Sequence, residues 1–356
     1  MAVKASGSPL SFSEIETEFG QNSDRDLGEY RVSQTVGGLS NQPLDTSIPQ
    51  SGAIKFSDFY SKRLNVVIDY HSGSTENRPD DARTKYQAGS TSGNRTVIGG
   101  FRDRISGNSS GSKVRIHVNK TIGSAVGNVN NCAVRTGSFE TGTVVTVEVG
   151  SSGAIYGAGG NGGEAGTSDG DKDGDNGGSG SSGLGVQFSG TTVINNGVIS
   201  AGYGGGGGGG YRKVEREEMF SGPVYAASGG GGGGGKRLPA GEGIYSRGDG
   251  TTTAGGNGGN GGANRQAHGG GGGGGGSNGT GGEGGNNNDG GNGTSSSGGN
   301  GASGTHTGSI EGENNVQGSG GSGGSNGAAI RRTSGITVNI TNNATITGVT
   351  NATGVS

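Results

Sequence analysis

Apolar and polar positions alternate with period two in Asn65–Tyr70 (NVVIDY), Lys113–Val118 (KVRIHV) and Thr143–Val149 (TVVTVEV), and their β-branched residues predict half-buried strands. The polar stretch 72–92 reads as loop. A shorter unit then recurs. Val147–Val149 leads through a Gly-Ser-Ser-Gly turn to Ala154–Gly157, Val193–Ile194 through Asn195, Asn196 and Gly197 to Val198–Gly202, and Val338–Ile340 through Thr341, Asn342 and Asn343 to Ala344–Gly348. Val114–Ile122, with Asn119 at its turn, is a degenerate fourth copy. Each copy is strand, tight turn, strand. Two such arms cannot bury a face alone, so the copies are expected to stack as rungs of a short solenoid, the last pairing with an earlier one.

Ahead of the strands the period lengthens. Ile15 and Phe19 share a helical face before Gly20, and Ser13 and Glu16 have capping-box spacing. The pattern of Leu10–Ile15 (LSFSEI) returns at Ile54–Phe59 (IKFSDF), where Ser57 is placed to cap a short turn bearing Phe59 and Tyr60. Leu27 and Tyr30 predict another short helix between them. Residues 1–62 therefore read as a compact helical module.

Residues 158–327 show neither apolar period. They hold uninterrupted glycine runs at Gly204–Gly210, Gly229–Gly235 and Gly269–Gly276, flanked by segments that repeat every third residue. Ala158, Asn161, Glu164 and Thr167 form one such row, Asn257, Asn260 and Ala263 a second, Thr280, Glu283 and Asn286 a third, and Ser319, Ser322, Ser325 and Ala328 a fourth. A helix of polyproline-II type has about three residues per turn and no internal hydrogen bonds, and glycine lets such helices approach closely. Side by side they can satisfy one another's backbone groups. The pure runs are then expected in a middle layer, with Gly207, Gly232 and Gly272 in the bundle core, and the Gly-Gly-x rows outside them. A flexible linker is the competing reading of glycine runs, but disorder has no use for pure and period-three tracts of matched length.

The expected fold is mainly β plus a polyglycine-II helix bundle arranged as a layered sandwich, with a small helical N-terminal module. Its divisions fall at 1–62 (attachment or assembly), 63–157 (β domain), 158–327 (bundle, with an embedded strand-turn-strand unit at 184–202) and 328–356 (a closing strand-turn-strand unit). With 91 glycines in 356 residues, 25% hydrophobic residues and no tryptophan, the chain departs from ordinary globular composition. A net charge of −3 gives no footprint for nucleic acid. Cys132 is alone, so no intrachain disulfide forms. Residues 1–12 lack the pattern of a signal peptide, and no stretch approaches the ~20 apolar residues needed to cross a bilayer. If it works outside a cell, the protein is expected to leave by lysis or within a particle rather than by export, with no membrane insertion.

Candidate chemistry lies in the loops joining the tracts. Tyr211, Arg212, Phe220, Tyr225, Lys236, Arg237, Tyr245 and Arg247 bring aromatic and basic side chains to short stretches between glycine runs, the composition of a recognition surface. Capping of the bundle end is the alternative role. Gly229–Lys236 resembles a phosphate loop, but Arg237 stands where Ser or Thr is needed and no apolar strand precedes it. Asp169, Asp171 and Asp173 open like a calcium loop, giving a weak Ca2+ candidate, although Gly180 replaces the closing Glu. No other cofactor is expected. His71, His117, His268 and His306 lack metal-ligand spacing, and no acid/base pair or activated nucleophile emerges, so the chain does not read as an enzyme.

Ser6–Gly20 and Ile48–Tyr60 resemble a module common at the start of structural proteins of tailed bacteriophages. The strand-Asn-Asn-Gly-strand units feeding pure glycine runs resemble the glycine-rich adhesins at T-even-type tail-fibre tips. That resemblance implies a tail-fibre or adhesin component whose loops, carried on packed polyglycine helices, bind a host-surface glycan or outer-membrane component. It also implies partners among other virion proteins or copies of the chain itself. A self-assembling extracellular filament is the alternative, favoured by exposed strand edges. An ice-binding protein is another, and a polysaccharide-cleaving enzyme, which no carboxylate pair supports, is a fourth.

Overall fold

Parallel strands come round the chain in threes. The first coil is Lys113–Val118, Thr121–Gly123 and Cys132–Arg135, and the second is Val144–Val149, Ala154–Tyr156 and Ser182–Val186. The third is Thr191–Asn195, Val198–Ser200 and Ile330–Arg332, and the fourth Val338–Asn342, Thr345–Thr347 and Ala352–Thr353. The structure, a computed structural model, describes residues 3–19, 27, 35–36, 39–40, 48–49, 51–62, 66–70, 76–77, 91–92, 95–98, 113–126, 128–137, 139, 141–168, 171–215, 224–227, 229–235, 237, 243, 249–251, 254–264, 267–276, 279, 284, 289–295, 297–306 and 315–355.

Corresponding strands of successive coils pair in parallel and in register, giving three sheets. In the first, Ile116, Val147, Val193 and Ile340 stand in one row. In the second, Ile122, Ile155, Ile199 and Ile346 do so, and in the third, Val134, Leu184 and Ile330. The sheets thus surround stacked columns of aliphatic side chains, buried in the first three coils. Full burial of such a side chain contributes about 1.5–3 kcal/mol, so these columns carry the solenoid. At one corner Asn195 donates from Nδ2 to Asn342 Oδ1 (2.8 Å) and to the Thr345 carbonyl (3.0 Å), and Asn343 donates to Asn196 (2.8 Å). The asparagine turns are therefore stacked and bonded between coils. In the fourth coil the column opens, with Ile340 38% and Val349 55% exposed.

The expected rungs are present, including the degenerate copy at 114–122, but each coil has a third strand that alternation does not reveal. The expected divisions at 63–157, 184–202 and 328–356 are not separate units, because their strands continue the same three sheets. Val66–Tyr70 and Glu76–Asn77 extend two of these sheets before the first coil. Arg95–Ile98 pairs antiparallel with Val66–Tyr70, and Thr91–Ser92 with Arg95–Ile98.

The N-terminal residues contain the helix Phe12–Phe19, a 3-10 turn at Phe56–Phe59 and an antiparallel pair, Thr35–Val36 with Leu39–Ser40. The two sequence copies meet: Phe12 and Phe56, which occupy equivalent positions, stack edge-on at 5.9 Å. Their caps are also equivalent, though two residues earlier than the spacing suggested. The Ser11 amide donates to Glu14 (2.7 Å) while Ser11 Oγ accepts from the Glu14 amide (3.3 Å), so Ser11 replaces Ser13 as cap. The Lys55 amide donates to Asp58 (2.7 Å) in the second copy, where Ser57 was expected. Val3, Ile15, Ile48 and Phe59 are buried in the same apolar cluster as the solenoid columns. These four residues therefore share the solenoid's apolar core.

The glycine-rich residues leave the solenoid in two excursions, 157–181 from the second coil and 201–329 from the third. Within Gly204–Gly210 the backbone donors rotate among three neighbours. Gly205 and Gly208 donate to Gly178 and Asp175, Gly206 and Gly209 to Gly233 and Gly230, and Gly207 and Gly210 to Gly299 and Ala302, all at 2.7–2.9 Å. The same carbonyls accept from three further segments: Gly205 and Gly208 from Gly324 and Gly321, Gly206 and Gly209 from Gly163 and Gly166, and Gly207 and Gly210 from Gly273 and Gly270. Six segments thus surround this tract. There is no room for a side chain. A Cβ on Gly207 would lie 2.1 Å from the Gly321 carbonyl oxygen, on Gly232 2.0 Å from that of Gly206, and on Gly272 2.1 Å from that of Gly231. Outer segments expose every third residue, such as Asn257, Asn260, Ser319 and Ser322. Side chains satisfy amides that this spacing leaves over: Asp173 accepts from Ser319 (2.6 Å), Asn176 from Ser322 (2.8 Å) and Asn300 from Gly323 (2.8 Å).

Candidate functional site

Tract direction decides which loops can act together. Gly204–Gly210 runs away from the third coil, and Gly229–Gly235 returns antiparallel to it, since Gly206 pairs with Gly233 and Gly209 with Gly230. Gly269–Gly276 is antiparallel as well, Gly270 bonding to Gly210 and Gly276 to Gly204. Among the described residues, 167–168, 171–172, 211–215, 224–227, 263–264, 267–268, 304–306 and 315–318 therefore gather at the end remote from the solenoid, the tip. Residues 237, 249–251, 294–295 and 297 lie at the solenoid end. Seven extended residues separate the two ends by roughly 20 Å.

At the tip the loops are knitted together. Arg212–Glu215 forms a hairpin with Val224–Ala227 and pairs on its other edge with Val316–Gln317. Ala263–Asn264, Ala267–His268 and Thr305–His306 form a second antiparallel sheet. Val214, Ala227 and Ala267 make a small apolar cluster joining the two sheets, separate from the solenoid core.

Four of the eight predicted loop residues, Tyr211, Arg212, Tyr225 and Arg237, are among those described, and they fall at two places. Tyr211 and Arg212 are at the tip but 3% exposed, so neither side chain is presented to a receptor. Tyr211 continues the tract: its amide donates to Lys172 and its carbonyl accepts from Gly318, while Lys172 Nζ sits 5.1 Å from its ring centre. Arg212 donates to Gln317 (3.3 Å), and burial lowers its pKa. Both side chains are thus packed against the end of the tract. Tyr225 lies in the second hairpin strand, opposite Val214. Arg237 belongs to the solenoid end, where its guanidinium lies against Tyr156 and Tyr203. Phe220, Lys236, Tyr245 and Arg247 lie outside the described residues. His268, Thr305 and His306 join the tip through strand pairing alone, and no spacing in the sequence links them.

The suggested calcium loop is not assembled in the described residues. Asp169 lies outside them, Asp171 is exposed, and Asp173 is turned to the Ser319 amide. No three His, Cys, Asp or Glu side chains come together among the described residues. No described helix is long and apolar enough to cross a membrane. The Cys132 thiol is buried, and burial raises its pKa to about 11, which keeps it protonated at neutral pH.

A solenoid that carries its loops at the end of a glycine-packed extension has the build of a display protein. The family described as phage tail fibre adhesin Gp38 matches residues 84–267, just over half of the chain, and the chain belongs to it. It is a host-recognition component of a phage tail fibre, and hence a virion protein, in a family of adhesins rather than of enzymes. No curated protein matches the chain. A crystal structure of the gp37-gp38 adhesin tip complex of the bacteriophage S16 long tail fibre is similar at 18% identity, with a TM-score of 0.40 over 98% of this chain and 100% of that one.

Proposed function

We propose that the glycine tracts form a polyglycine-II bundle and that the tip loops it carries, above all 216–223 with Phe220 and the adjoining Tyr225, read the host surface. The observation that supports this reading is the rotation of donors from Gly205 to Gly210 among three neighbours, the bonding a threefold helix makes with partners all round it. Such a scaffold is already ordered, so little conformational entropy is lost on contact. A tyrosine or phenylalanine ring at the tip suits the apolar face of a sugar in an envelope glycan, or an outer-membrane protein loop. The module 1–62 shares the solenoid core and stands a bundle's length from the tip, which suits it to attachment to other virion proteins.

The test is adsorption. Phe220→Ala with Tyr225→Ala is expected to lower adsorption to host cells at least tenfold with a near-unchanged melting temperature. Normal adsorption by that variant would overturn the assignment of the surface to these loops. The exposed edge of the fourth coil supports a second reading, in which that end accepts another copy of the chain. Concentration-dependent growth of particles that Ile340→Lys abolishes would favour it, and a monomer at all concentrations would remove it.

A further inference from the structure

Arg237 occupies a backbone conformation that glycine would take freely. Its φ is +118°, and Ser61 is the only other non-glycine residue with positive φ among the described ones. Glycine fills the seven preceding described positions, so an arginine here indicates that its side chain is needed where the backbone is strained. The side chain has a defined seat. Arg237 Nε donates to Ser200 Oγ at 2.9 Å, and the guanidinium carbon lies 5.4 Å from the ring centres of both Tyr156 and Tyr203. Tyr156 and Ser200 are register partners in the second sheet, and Tyr203 opens the tract Gly204–Gly210. Ser200 is fully buried and Tyr203 is 5% exposed. The Arg237 amide also donates to the Thr251 carbonyl (3.0 Å).

We propose that Arg237 is a positioning residue, a pin that ties the returning glycine tract and Thr251 to the outer face of the solenoid, and so fixes the direction in which the glycine tracts leave it. The seat suits a guanidinium. Its plane can stack on two tyrosines while one edge donates to a serine, whereas an ammonium is a point charge without a stacking face. Backbone bonds hold the tracts to each other, and at the corner where they meet the solenoid Asn326 Oδ1 accepts from the Gly204 amide (3.0 Å); Arg237 ties the returning tract at the same corner.

Three variants of the full-length protein test this. Arg237→Gly removes the pin while suiting the backbone, Arg237→Lys keeps the charge, and Tyr156→Leu removes one stacking partner. Hydrogen exchange of the amides at 235, 237, 250 and 251 is expected to rise at least tenfold in Arg237→Gly and by a lesser factor in Arg237→Lys. Exchange at Gly207 should stay unchanged, and the melting temperature should move by only a few degrees. Adding Tyr156→Leu to Arg237→Gly should bring little further rise, because both act on one contact. Unchanged exchange at the corner amides in Arg237→Gly, or an equal rise at Gly207, would overturn the pin. For a functional consequence the inference rests on the tip as the host-binding end: adsorption by phage carrying Arg237→Gly should fall severalfold. The exchange result decides the pin even if the parent tip proves not to bind cells.

Discussion

Leu184 and Ile330 are paired in one parallel ladder although the whole main excursion of the glycine bundle separates them in sequence. The same separation of 146 residues joins Asp173 to Ser319, Asn176 to Ser322 and Ser182 to Ala328. One register therefore runs without slip from the bundle into the solenoid. Because both side chains are fully buried, Leu184→Ala and Ile330→Ala should each cost about 2–5 kcal/mol. The double variant should fall short of their sum, as expected for residues in contact. Chemical denaturation of the four proteins measures the coupling, and strict additivity would argue against the pairing.

A side chain at the centre of the bundle should act as an overpacked core. Gly207→Val places atoms on the Gly321 carbonyl, itself backbone held by hydrogen bonds, and is expected to destabilise by at least about 1–3 kcal/mol. Ser322→Val, on an exposed position of the adjoining tract, should be nearly silent. Thermal melts of the two variants distinguish the cases, and equal tolerance would be incompatible with the packing.

The first helix should respond to acid. A hydrogen bond from Lys4, with those from the Ser11 amide and hydroxyl, lowers the Glu14 pKa from 4.5 to about 2. A depressed carboxyl contributes stability that is complete above its unfolded pKa and is lost as pH falls through the folded one. The cap is thus expected to weaken between about pH 4.5 and 2. NMR titration of Glu14 should give the low midpoint, and Lys4→Ala should move it upward. A midpoint near 4.5 in the parent would contradict the cap.

Cys132 should report on opening of the solenoid. With its thiol buried and its pKa raised to about 11, alkylation at pH 8 is expected to be slow in the native protein and fast in denaturant. Rapid modification without denaturant would place the thiol at the surface.

Much of this architecture is legible in the residues. Val147, Val193 and Ile340 alternate with polar neighbours, so the first strand of each coil stands out, and the Asn-Gly turns mark the second. The third strand does not. Ser182–Val186 reads SGLGV, and its glycines are required by close approach, since a Cβ on Gly185 would strike Cys132. Local propensity therefore opposes what long-range pairing imposes. The period of three in Gly-Gly-x rows announced mutually bonded tracts, but not which ends coincide. That depends on antiparallel pairing between glycines, which carry no side chains to show it. Tyr211 and Arg212 looked like recognition residues by type but are buried where the tract ends, whereas nothing in the sequence announces the two-residue strands that carry His268 and His306 into one sheet.

A tract surrounded by six neighbours has no lateral freedom, yet its sequence says nothing about where along its own length each residue belongs. Alignment can come only from the two ends, where Tyr203 and Tyr211 stop the run. One extra glycine would turn every later donor by a third of a revolution, away from its acceptor, while three would restore the pattern one step further on. The reach of the tip can thus change only in whole steps, and only if every tract takes the step together. Between those lengths the loops are free to vary while the shaft is not, so an adhesin of this kind is expected to diversify at its tip far faster than along its stem.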